Sequence, residues 1–174
     1  DERKPELAKA AEDVDPEAIP DINRWISEQL RKKNYALQSS QEGIHLVDRA
    51  PLDPLTFSDP AERPAKAAAL LDQITDGGTR EICKGHIIHL DCGIEEIRIR
   101  NSLKHKYWTD PQYQQLIDRI DEIYGTMDRT TICTRGRDAT SVAREIAKVI
   151  FLNEYRPVDL EGALNKIKAD SHVV

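Results

Sequence analysis

Apolar residues recur every three or four positions in several stretches of this chain, and each stretch reads as one face of a helix. Ile22, Trp25, Ile26 and Leu30 share a face after Pro20 and Asp21, up to Lys32 and Lys33, cations that suit a helix C-terminus. Ala67, Leu70, Leu71 and Ile74 predict a second helix, entered from Asp59 through Pro60 and stopped by Gly77 and Gly78. Thr109, Asp110 and Pro111 start a third, with Tyr113, Leu116, Ile117, Ile120 and Tyr124 as its stripe and Gly125 as its end. Asp138 is the N-cap of a fourth, which carries Val142, Ile146, Val149 and Ile150. After a break at Tyr155, Arg156 and Pro157, Asp159 caps a last helix with Leu160, Ala163, Leu164 and Ile167 on one side.

Shorter runs lie between these helices. Tyr35–Gln38 and Ile44–Val47 predict a first hairpin, and Ile87–Leu90 with Glu95–Arg100 a second around the Asp91-Cys92-Gly93 turn. In that second hairpin Ile97 and Ile99 face the core while Glu96, Arg98 and Arg100 face outward. A helix through Ile94–Leu103 competes, because so short a run satisfies either period. Thr130, Thr131, Ile132 and Cys133 suit an inner strand. The fold expected is α+β, with amphipathic helices packed on a small mixed sheet with two hairpins. Residues 1–19, rich in Glu, Asp, Lys and Ala, read as a flexible or partner-dependent arm, and residues 20–174 as a single domain.

Composition narrows the class. Of 174 residues 39% are hydrophobic and only 5% aromatic, so the interior is expected to be aliphatic. No apolar run approaches the roughly 20 residues of a membrane helix, and no membrane partner is expected. A net charge of −6 disfavours indiscriminate binding to nucleic acid or anionic lipid but leaves room for a local basic patch. Three cysteines, an odd number, fit a reducing compartment, and the expected location is cytoplasmic. The opening Asp-Glu-Arg-Lys-Pro, with neither Met nor a signal pattern, reads as a segment of a longer protein.

Three constellations could carry chemistry. Arg135, Gly136, Arg137, Thr140 and Ser141 sit between a strand and a capped helix, where backbone N–H groups and arginines favour an anion. Cys133 ahead of this glycine loop resembles the thiolate loop of cysteine phosphatases, but the arginine expected six residues on is Ala139, so phosphatase chemistry is rejected. Arg98, Arg100, Lys104 and Lys106 run into Trp108 and would form a partner or nucleic-acid surface, cations beside a ring. A hydrophobic staple that buries Trp108 at the following helix start explains the same ring. Cys83, His86, His89 and Cys92 are zinc-ligand types, yet their uniform three-residue spacing turns away from any single point on a helix or strand. No metal or cofactor is therefore expected.

No Walker A, GxSxG, HExxH or GxGxxG motif is present. The function expected is that of a non-catalytic protein-interaction or regulatory domain, with another protein as partner. The alternative is nucleic-acid or phospho-ligand binding through the basic hairpin and the Arg-Gly-Arg loop.

Overall fold

A computed structural model describes residues 19–40, 42–102 and 109–170. Lys104, Lys106 and Trp108, and the arm apart from Ile19, lie outside the described residues. The fold is α+β, and its contacts fall into two compact units.

The first unit joins the described residues up to Cys83 to residues 160–170. Its elements are α1 (Ile19–Ser39), a short α2 (Asp53–Thr56), α3 (Arg63–Ile74) and the C-terminal α7 (Leu160–Ala169). A 3-10 turn over Pro60–Glu62 leads into α3, and Gly77 and Gly78 follow it at positive φ. Both α1 and α7 pack against α3. Leu30, Leu70, Ile74 and Leu164, all from predicted helix stripes, make an aliphatic core together with Leu55 and Ile82, which the stripes do not include.

Helix α1 runs six residues beyond Lys33, through the predicted Tyr35–Gln38 strand. The buried Asn34 amide donates to the Glu81 carbonyl (3.0 Å) and its oxygen accepts the Cys83 N–H (2.9 Å). Gln38, one turn on, donates to the same Glu81 carbonyl at 2.6 Å. Residues one turn apart on a helix meet one neighbouring segment, so these amides anchor residues 81–83 to a helix rather than to a hairpin. Ile44–Val47 lies outside any strand, with Ile44 and Leu46 exposed. The described residues hold no hairpin here.

The second unit, residues 84–159, is organised by β1 (Ile87–Asp91) and β2 (Arg129–Cys133). They pair in parallel, Ile87 opposite Arg129 and Asp91 opposite Cys133. A parallel pair needs a long crossover, and α4 (Ile94–Ser102) and α5 (Asp110–Tyr124) supply it. Among the described residues the sheet is thus parallel and two-stranded, not mixed.

Glu95–Arg100, predicted as the return strand of the second hairpin, belongs to α4. Glu95 and Glu96 in its first turn and Arg100 in its last complement the helix dipole, and Arg100 pairs with Glu96 at 2.9 Å one turn away. Ile97 is half-buried and Ile99 exposed.

Helix α5 begins as predicted, with Gln112 Oε1 accepting the Thr109 N–H at 2.8 Å, and Gly125 ends it. Tyr113, Ile123 and Tyr124 from α5 and Ile132 from β2 are buried. Helix α6 (Ala139–Leu152) follows β2 and packs against it. No helix among the described residues is long and apolar enough to cross a membrane.

Candidate functional site

The parallel pairing brings two loops to one end of the ribbon. Thr134 N–H donates to the Asp91 carbonyl at 2.6 Å, extending the ladder by one step. Beyond it, Asp91–Gly93 leads into α4 and Thr134–Asp138 into α6. This is the carboxyl end of parallel strands, where α/β sheets commonly receive ligands.

The Thr134–Asp138 loop turns back through an Arg137 N–H to Thr134 carbonyl bond (3.2 Å) with Gly136 at φ +63°. Asp138 caps α6 as the sequence predicts, its carboxylate accepting the Ser141 N–H at 2.7 Å. A carboxylate thus already occupies the helix mouth, the position at which an external anion would gain most from the dipole.

The two arginines part ways. Arg135 reaches across to the neighbouring loop, where its Nε donates to the Cys92 carbonyl at 3.5 Å and its guanidinium lies over Gly93. Arg137 stays with its own flanking elements, donating to Ser141 Oγ (3.1 Å) and the Ser141 carbonyl (3.2 Å) in α6 and to the Cys133 carbonyl (3.3 Å) at the end of β2. Glu145 lies 3.6 Å from it, and the Lys148 hydrogen bond, with Arg137 adding to it, holds the Glu145 carboxyl below the usual range. Thr140 is exposed and Ser141 half-buried.

The basic residues of α4 are divided likewise. Arg100 joins the loop, donating to the Thr134 carbonyl at 3.3 Å while paired with Glu96. Arg98 turns to the start of α5 and holds both Asp110 oxygens at 2.7 and 2.6 Å. These pairs are largely solvent-exposed and each stabilises by well under about 1 kcal/mol. Their effect is to engage the cations rather than leave them presented.

The four zinc-type residues have separate settings. Cys83 is tied to Asn34 in the first unit. His86 is half-buried in the second, its Nε2 2.8 Å from Thr130 Oγ1 and its Nδ1 accepting the Arg156 N–H at 3.3 Å. Burial pushes the Cys83 and Cys92 thiols above their ordinary value, with Arg100 partly opposing this at Cys92. Among the described residues no three His, Cys, Asp or Glu side chains gather closely enough to hold a metal ion.

Two arrangements escape sequence reasoning. The register puts His89, Asp91 and Cys133 on one face of the ribbon, although no hydrogen bond joins them among the described residues. The Asp91 carboxylate instead accepts the Gly93 N–H at 3.2 Å. In the first unit a cleft between α1 and α3 is lined by Arg24 and Lys66, residues that the helical period alone assigns to solvent. No protein-family model matches the chain, and neither the curated proteins nor the solved structures give a match.

Proposed function

We propose that this chain is a non-catalytic protein-interaction domain, serving a regulatory role within a larger cytoplasmic protein, and that the end of α6 is the surface it offers to another protein. One observation carries this. Phe151, Leu152 and Tyr155 are 72%, 77% and 65% exposed, and no residue of α6 is buried despite its apolar stripe. Two solvent-facing rings and a leucine clustered within five residues favour association, because covering them removes apolar area from water at about 25 cal/mol per Å².

Binding of nucleic acid or a phospho-ligand at the Arg135–Ser141 loop has less behind it. Arg98, Arg100 and Arg137 are engaged by carboxylates or carbonyls, and the Asp138 carboxylate fills the helix mouth.

A photo-crosslinking residue at position 151 tests the proposal, with one at exposed Asn165 as control. A discrete crosslinked protein from position 151 alone, lost when Leu152→Asp and Tyr155→Asp are added, is the expected result. Equal crosslinking from both positions, or none from 151, overturns it. Oligonucleotide titrations across a salt series address the alternative, which requires an affinity that falls steeply with salt and with Arg100→Ala.

A further inference from the structure

The first unit holds a feature unconnected with α6. Helices α1 and α3, with Pro54 of α2, flank an open cleft of about 270 Å³ whose lining is uneven: Arg24, Lys66, Ser27 and Gln73 supply polar groups, and Pro54 and Leu70 an apolar wall. Lys66 is half-buried and has no hydrogen bond or ion pair among the described residues. Burial pushes its ammonium below the ordinary lysine value, and Glu62, one turn earlier on the chain, offsets this only in part. A partly desolvated cation without an acceptor gains more from an anionic ligand than a hydrated one does. Ser27, by contrast, is already bonded, its hydroxyl donating to the Asn23 carbonyl at 3.0 Å.

We propose that this cleft binds a small organic monocarboxylate, with Lys66 and Arg24 taking the carboxylate and Pro54 and Leu70 covering its aliphatic end.

A single negative charge is favoured over a phosphate. A neighbouring cavity of about 390 Å³ shares Arg24 and Gln73 and is lined by Glu28, Asp72 and Asp76. Glu28 pairs with Lys32 and Asp76 with Arg31, each at 3.0 Å, so Asp72 is the carboxylate beside the site with no ion pair among the described residues, and it repels a dianion more than a monoanion. The cleft's volume lies just below the range for drug-sized ligands and suits a short-chain acid.

The test uses the full chain and sodium butyrate, followed by NMR at the Lys66 Nζ and the Leu70 amide. Butyramide, inorganic phosphate and sodium chloride at matched ionic strength are the comparison probes. Saturable shifts with butyrate, absent with butyramide and chloride, are expected, together with a rise of the Lys66 titration midpoint toward the ordinary lysine value. Arg24→Gln is expected to weaken the apparent affinity at least fivefold, and Lys66→Gln to abolish the Leu70 response while leaving the thermal transition cooperative. A response to butyrate that chloride reproduces, no saturation, or tighter binding of phosphate than of butyrate overturns the proposal. Should both variants unfold, the butyrate and butyramide titrations of the unaltered chain decide it alone.

Discussion

The guanidinium of Arg135 lies over Gly93, so that a residue of the loop after one strand rests on the backbone of the loop after its neighbour. Gly93 has φ +74°, a conformation that side chains rarely adopt, and a Cβ there would meet the Arg135 guanidinium. Gly93→Ala is expected to destabilise the second unit by about 1 kcal/mol, since the left-handed backbone opposes any Cβ. Adding Arg135→Ala, which removes the flexible obstacle but not the backbone conformation, is expected to restore little. Urea denaturation of the single and double variants measures the two contributions, and full recovery in the double variant would show that the contact dominates.

The cap of α6 is an isolated contribution. Asp138→Ala removes the carboxylate from the Ser141 N–H and is expected to cost about 1 kcal/mol, while Asp138→Asn retains most of the stability. Hydrogen exchange at the first turn of α6 reports the loss locally, and equal protection in the two variants would contradict the capping role.

Leu164, fully buried where α7 packs on α3, anchors the C-terminal helix. Leu164→Ala is expected to destabilise the first unit by roughly 2–5 kcal/mol, the range for an aliphatic side chain replaced by a cavity. Phe151→Ala, at a position 72% exposed, is expected to stay within about 0.5 kcal/mol of the parent chain. Thermal melts of the two variants make the comparison.

The thiols differ in environment and should differ in labelling. Cys133 is exposed, whereas Cys83 and Cys92 are half-buried and burial raises their titration. The reactive species is the thiolate, so alkylation near pH 8 is expected at Cys133 first, by several-fold over Cys92, with peptide mass mapping as the readout. The same shifts set a sign for stability. Two thiols that remain neutral longer in the folded chain stabilise it below the ordinary thiol value, and this contribution is lost as pH rises through the raised values.

Lys66 has the opposite sign. Its folded-state titration lies below the ordinary lysine value because burial disfavours the ammonium, so at neutral pH the charge opposes folding and stability rises with pH between the two values. Lys66→Met is expected to raise the melting temperature at pH 7 and to flatten this dependence near pH 10. An unchanged or lowered melting temperature at pH 7 would count against a desolvated ammonium.

The helices of this chain are written in its sequence because their determinants are local. Apolar residues three or four apart, Asp138 before α6, Thr109, Asp110 and Pro111 at the start of α5 and Gly77–Gly78 after α3 act within one or two turns and can be read without knowing the fold. Strand identity is less local. Ile87–Asp91 and Arg129–Cys133 are legible as apolar runs, but their parallel partnership joins residues about forty positions apart, and no local pattern carries it. The end of α1 and the helical state of Glu95–Arg100 were settled the same way, by Asn34 and Gln38 bonding residues 81–83 and by the crossover that parallel pairing demands. The sequence by itself thus determined the starts of α5 and α6 and the stop of α3, where the signals lie within a turn or two of the helix end. Tertiary structure alone decided that Arg135 reaches the Cys92 carbonyl, that Arg100 reaches the Thr134 carbonyl and that Lys66 lines a cleft between two helices, because these contacts and the desolvation that goes with them depend on neighbours distant along the chain.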